Sequence, residues 1–168
     1  MTAARLIGTV LGVGLIRPAP GTWGSLAALP LAWILHVAGS WPLLLIASVA
    51  LVPLGTWAVA GMIAQGAAHD PSEAVIDEVA GQWIALLPVS AGAAFAGSDV
   101  LALWPGWLAA FALFRLFDIW KPGPVGYFDR QGTPLSVVLD DVAAGILAAF
   151  GVVALGALFH VVLIGGGG

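Results

Sequence analysis

Two stretches of this chain, Leu43–Ile63 and Val142–Ile164, contain no Asp, Glu, Lys or Arg. Each is long enough to cross a bilayer as a helix, which takes about 20 mostly apolar residues. Val79–Ala96 and Trp104–Phe117 are shorter and can each be extended at their ends, and Trp23–Val37 is also short, with Pro30 interrupting it. Only 8% of the residues are charged, against about a quarter in a typical soluble domain. A soluble chain of this length needs a polar shell, and these residues cannot supply one. The sequence therefore predicts an all-α protein, a polytopic transmembrane helical bundle of about five spans. It reads as a single domain over residues 1–164, with the glycines at 165–168 as a tail.

Two turns separate spans on one side. Gly39, Ser40 and Pro42 form the first, and Gly97, Ser98 and Pro105 mark the second. Near the N-terminus, Arg5 followed by apolar Leu6–Ile16 imitates a signal peptide. Arg17, Pro18 and Pro20 make a poor small-residue cleavage site, so the segment is read as retained. Leu6–Leu15 is too short to span and is expected to lie in the interface or re-enter from it. The absence of cysteine excludes disulfides, cysteine nucleophiles and thiolate metal sites.

With five spans, Arg5, Arg17, Arg115, Lys121 and Arg130 all fall on one side, and neither opposite turn carries Lys or Arg. That asymmetry marks the cytoplasmic face. Eight of the nine acids fall on the same side, with Asp99 alone opposite. Trp41, Trp104 and Trp107 near the outer turns, and Trp120 and Tyr127 near the inner loop, suit the headgroup level.

Four stretches carry the charge. In "HDPSEAVIDEVAGQW" (69–83), Asp70-Pro71-Ser72 reads as a helix start. Asp70, Glu73 and Asp77 then share one helical face, with Glu78 beside them. Gly81, one turn after Asp77, lets a partner helix approach. Clustered carboxylates repel unless cations intervene, and hard oxygen ligands suit Mg²⁺; a solvated acidic loop is the plainer alternative. In "RLFDIWKPGPVGYFDR" (115–130), Arg115, Asp118 and Lys121 share a face as far as Pro122 ends the helix. They offer a phosphate-binding fork and point charge, or simple snorkelling to the interface. In "LDDVAAGI" (139–146), Asp140 and Asp141 open the final span, where the helix dipole favours acids; one of them faces inward onto a metal and the other stays hydrated. In "RPAPGTWGS" (17–25), Thr22 or Ser25 caps a helix whose free N–H groups can hold an anion. His69 is the only histidine placed for acid–base work; His36 and His160 lie in apolar segments.

Together these stretches resemble the phosphatidylglycerophosphatase A family. "RPAPGTWGS", "DPSEAVIDEVAGQW", "FRLFDIWKPGPVG" and "LDDVAAG" occur in the family's order and cover residues 17–146. The resemblance implies a Mg²⁺-dependent membrane phosphatase of the bacterial inner membrane, its site on the cytoplasmic side. Such an enzyme hydrolyses phosphatidylglycerophosphate to phosphatidylglycerol and phosphate. The resemblance makes Asp77, Glu78, Asp118, Asp140 and Asp141 the expected metal ligands. Among these, Asp77, Glu78, Asp118 and Asp141 are the expected catalytic residues. Arg17, Thr22, Arg115 and Lys121 are expected to serve the substrate phosphate. The expected partners are the membrane and a phospholipid, not nucleic acid, with oligomeric state left open.

Phosphoryl transfer demands positioning and charge neutralisation, and a lipid phosphate sits at the depth where these charges gather. Without Cys, or a DxDx[TV] run, direct attack by water is expected rather than a covalent phosphoenzyme. A CDP-alcohol phosphotransferase needs a DGxxAR-type run, which is absent. A transporter or scaffold with buried acid–base pairs places its charges near mid-membrane, whereas these sit at segment ends.

Overall fold

The computed structural model describes residues 1–164, so the glycines at 165–168, expected as a tail, lie outside the described residues. The described chain forms helices and no strand. In order these are α1 (Ala3–Gly8), α2 (Pro20–Ala64), α3 (Ile76–Ala96), α4 (Trp104–Trp120), α5 (Pro124–Asp129) and α6 (Pro134–Phe159). Four helical segments are long and apolar enough to cross a membrane: Pro20–Ala64, Ile76–Ala96, Val100–Trp120 and Pro134–Val162.

The 45 residues of α2 would extend about 67 Å as one straight helix. That is more than twice the roughly 30 Å of bilayer hydrocarbon. The chain solves this at the expected turn. Gly39 (φ −161°, ψ 18°) and Ser40 (φ 58°, ψ −162°) leave the helical region and divide α2 into two helices. The bundle thus has five apolar segments. Pro30 does not interrupt the first half, which continues through it; within a bundle, neighbouring groups compensate the missing donor.

Contacts fix the directions of the segments. The Trp83 indole N–H donates to the Ala28 carbonyl at 3.0 Å. His36 Nδ1 meets Ser90 Oγ at 2.6 Å. The first half of α2 therefore runs parallel to α3. The second half returns, with Trp41 beside Phe95 at the far end and Gly55 against Ile76 and Val138 near the other. Helix α3 is the centre of the bundle, packed by α2, α4 and α6. Leu44, Leu86, Val89, Phe114 and Val152 fill the core. Ile46, Val49, Phe95, Phe150 and Leu158 are exposed along the outside, as lipid-facing side chains are.

The helices begin earlier than the apolar runs. Helix α6 starts at Pro134, where Thr133 and Ser136 form a reciprocal capping box. Asp140 and Asp141 consequently lie about two turns inside a continuous helix and do not open it. The helix-dipole explanation for them fails, because that effect fades within the first turn. Leu6–Leu15 does not span. Helix α1 ends at Gly8, the backbone turns through positive φ at Val10, Leu11 and Gly12, and a 3-10 turn follows at Val13–Leu15. Helix α1 lies along the end of α2, with Ala4 on Gly61 and Gly8 on Met62.

Candidate active site

At the end of the bundle where α2 and α6 begin and α4 finishes, a cavity of about 270 Å³ is lined by Asp77, Glu78, Asp118, Asp140 and Asp141. Arg115 and Lys121 also face it. The arrangement starts from two glycines. A Cβ on Gly145 would strike the Gly81 carbonyl, and one on Gly81 would stand 2.5 Å from the Asp141 carbonyl oxygen and from the Phe114 ring. Helices α3 and α6 therefore touch backbone to backbone at this point. Asp77 precedes Gly81 by one turn and Asp141 precedes Gly145 by one turn, so the crossing turns these acids toward each other.

One carboxylate oxygen from each of Asp77, Glu78 and Asp141 lies within 4.8 Å of the others. Asp77 and Asp141 are buried and Glu78 is half-buried. Asp77 Oδ1 accepts the Glu78 backbone N–H at 3.1 Å, and Asp140 Oδ1 accepts that of Asp141 at 3.0 Å. Among the described residues, the buried Glu78 Oε2 has no hydrogen-bond partner. Ionised pairs at such separations repel by about 3 kcal/mol each at an effective dielectric of about 20. A divalent cation cancels that cost. Three convergent hard oxygens with a spare buried oxygen fit Mg²⁺, which prefers one or two carboxylates, water and phosphate.

The cations line the opposite wall. Arg115 Nη1 meets Asp118 Oδ2 at 2.7 Å, with both side chains only 16% exposed. The same nitrogen donates to Ser25 Oγ at 3.4 Å. A Cβ on Gly21 would lie 3.1 and 3.2 Å from the Arg115 Nη atoms, so a glycine there lets α2 close over the guanidinium and Glu78. Lys121 caps α4 in the left-handed region (φ 52°). Its ammonium bonds Asp129, and Asp140 Oδ2 at 3.2 Å. Burial would push the Lys121 pKa down, but hydrogen bonds and charge from Asp129 and Asp140 outweigh it and hold the pKa above the ordinary lysine value.

Of the residues singled out in the sequence, Asp77, Glu78, Arg115, Asp118, Lys121, Asp140 and Asp141 all meet at the cavity. Arg17 stands at its rim, bonded to the lining residue Ser72. Thr22 does not line it, and neither Thr22 nor Ser25 caps α2; Ala19 occupies the cap position, and Ser25 Oγ donates to the Gly21 carbonyl at 2.9 Å. Asp140 and Asp141 are both buried and both face the cavity, so the expected split between an inward and an outward acid does not form. The expected common face of Asp70, Glu73 and Asp77 does not form. The Val75 N–H is taken by the Gly8 carbonyl at 2.8 Å, which holds 70–75 as a loop and delays α3 to Ile76. Asp70 lines the cavity, while Glu73 turns away to Arg5 at 3.7 Å. His69 is exposed and apart from the lining. His36, Asp99 and His160 lie toward the far end, Asp99 Oδ1 accepting the Leu101 N–H at 2.8 Å.

Gly21, Ser72 and Asp129 fall within the stretches singled out in the sequence, but sequence reading gave none of them a role at the site. Asp129 had a legible signal: the turn at Pro122-Gly123 folds the chain back on Lys121. It also missed Gln82, fully buried with neither amide atom partnered among the described residues.

Residues 6–156 match the family model described as "PgpA: Phosphatidylglycerophosphatase A". A Haemophilus influenzae phosphatidylglycerophosphatase A is 38% identical, over 90% of this chain and 87% of its own length. The Escherichia coli K12 phosphatidylglycerophosphatase A is 32% identical, over 86% and 78%. A Bacteroides thetaiotaomicron protein, provisionally named a phosphatidylinositol-3-phosphatase, is 40% identical over 84% and 86%. No solved structure matches the chain. A match across most of the chain, spanning every residue that lines the cavity, has one consequence: this protein belongs to the phosphatidylglycerophosphatase A family of membrane phosphatases.

Proposed function

We propose that the protein hydrolyses the terminal phosphomonoester of phosphatidylglycerophosphate, releasing phosphate and leaving phosphatidylglycerol, with Mg²⁺ held by Asp77, Glu78 and Asp141. The observation that carries the reading is the convergence of those three carboxylates, from α3 and α6, opposite Arg115 in one cavity at the bundle end. Relatives named for this reaction support the substrate. The metal, when bound, neutralises charge on the phosphoryl oxygens and polarises them.

The remaining work falls to side chains. Arg115 offers a planar fork and a buried Nε without a protein partner, suited to two phosphate oxygens. Lys121 adds a fixed charge from the other wall, so that negative charge growing on the equatorial oxygens is met on two sides. Asp118 and Asp140, expected among the metal ligands, are engaged by Arg115 and Lys121 and are assigned here to orienting those cations. A carboxylate facing the cavity accepts a proton from the attacking water as the P–O bond to glycerol breaks, and the leaving oxygen takes up a proton. The gathering of Arg5, Arg17, Arg115 and Lys121 at that end supports a cytoplasmic orientation for the cavity; the inner membrane is proposed from the family alone.

The test is phosphate release from phosphatidylglycerophosphate in mixed micelles by purified protein, with and without Mg²⁺. Mg²⁺-dependent release is expected. No release by folded protein would move the reading to a scaffold or transporter, although charges at the bundle end rather than mid-membrane speak against that.

A further inference from the structure

The cations of this end differ in what already holds them. Arg5 is paired with Glu73, Arg115 with Asp118, and Lys121 with Asp129 and Asp140. Among the described residues, Arg17 and Arg130 make no ion pair with a carboxylate. Arg130 follows α5, beside Gly126 and away from the cavity lining. Arg17 is at the rim. Both its Nη atoms donate to Ser72 Oγ at 3.4 Å, and Ser72, Ala19 and Pro20 line the cavity. Two long bonds to a neutral hydroxyl locate the guanidinium without consuming its charge. The segment beside it is pinned, because the Trp23 indole N–H donates to the Pro18 carbonyl at 3.0 Å.

A terminal phosphate bound by the carboxylate cluster and Arg115 lies inside the cavity, not at its rim. The lipid proposed above carries a second anion, the phosphodiester, joined to the first by a glycerol bridge. That diester must remain toward the mouth while its partner reacts. We propose that Arg17, located by Ser72, binds this phosphodiester and makes the site selective for lipids bearing two phosphates over lipids bearing one. This assignment rests on the proposed lipid phosphatase activity and adds to it the residue that reads the headgroup. A planar guanidinium matches two diester oxygens, and Arg17 is exposed enough to meet a headgroup arriving from the interface.

The experiment compares phosphatidylglycerophosphate with phosphatidic acid, which has one phosphomonoester and no diester, in the same Mg²⁺-containing micelles. Wild type, Arg17→Ala, Arg17→Gln and Arg17→Lys are assayed, with thermal unfolding as the folding control. Losing a charge-assisted contact should raise KM for the two-phosphate lipid about ten- to hundredfold. The kcat should change less than about twofold and the preference over phosphatidic acid should collapse. Arg17→Gln, which keeps a hydrogen-bonding group near Ser72, should behave like Arg17→Ala; Arg17→Lys should recover part of the preference. Equal losses on both lipids, or a fall in kcat alone, would place Arg17 on the transferred phosphate and overturn the assignment. No change on either lipid overturns it as well. A wild-type protein that hydrolyses phosphatidic acid but shows no preference defeats the selectivity claim alone, whereas one that releases phosphate from neither lipid defeats the parent reading.

Discussion

Asp77 and Asp141 face each other because each stands four residues before a glycine, and those two glycines, Gly81 and Gly145, bring their backbones into contact. The site is thus set by the closest approach of two helices rather than by a loop. Small residues permit such an approach inside a membrane.

Gly145→Ala and Gly81→Ala should therefore damage the site through its frame. Overpacking of this kind costs about 1–3 kcal/mol, and the helices must separate to absorb a methyl group. Activity should fall at least about tenfold, and the Mg²⁺ concentration for half-maximal activity should rise. Gly92→Ala and Gly156→Ala, where a Cβ meets nothing within 4 Å, should leave both quantities unchanged. Titrating Mg²⁺ in the four variants checks this.

Asp141→Asn should abolish turnover while raising the melting temperature of metal-free protein. The substitution removes one of three crowded carboxylates whose repulsion no protein cation fully offsets. Melting in EDTA, followed by melting with added Mg²⁺, separates the two effects: the wild type should gain stability from Mg²⁺ and the variant should not.

Arg115→Ala leaves Asp118 half-buried without its partner, so both stability and kcat/KM should fall. Asp118→Asn in the same chain should restore much of the stability and none of the activity, a coupling that a double-mutant cycle measures. Arg115→Lys keeps the charge but not the fork, and should still lose about tenfold or more in kcat/KM.

Lys121 gives a pH test with a defined sign. Its pKa is raised in the folded state by Asp129 and Asp140. The stability it contributes is then fully present below the unfolded lysine value, about 10.4, and is lost only as pH climbs through the folded value. The difference in melting temperature between wild type and Lys121→Met should stay constant from about pH 9, where the carboxylates are ionised, to about pH 10. A difference that fades across that window would show that Asp129 and Asp140 do not hold the ammonium.

Much of this was legible before any coordinates. Apolar runs with charge confined to their ends dictated the spans, and Gly39-Ser40 marked the break in α2 because no uninterrupted helix of that length fits a bilayer. The acids from 77 to 141 were legible as a group through the family resemblance, since each stretch taken alone also admits a solvated loop, snorkelling or a helix-dipole explanation. What escaped depended on contacts remote in sequence or on the start of a helix. Asp70 and Glu73 left the expected face because Gly8, more than sixty residues away, takes the Val75 N–H. Asp140 and Asp141 were read as opening α6 because the apolar run starts after them. The capping box at Thr133 and Ser136 starts the helix about two turns earlier, and a pattern of hydrophobicity does not register a cap. Thr22 was read as a cap by residue type, yet Pro20 lets α2 begin without one.

The far turns bear on how the protein enters its membrane. The turn from Gly39 to Pro42 holds no ionised side chain, and the turn between Ala96 and Trp104 holds one, Asp99, whose carboxylate already accepts the Leu101 amide. Insertion of the two hairpins then obliges a single charged side chain, Asp99, to traverse hydrocarbon, a step that costs about 3 kcal/mol on the translocon scale. An orientation that keeps the candidate site on the side of synthesis spares its charged side chains that crossing, so biogenesis and catalysis ask the same thing of the chain.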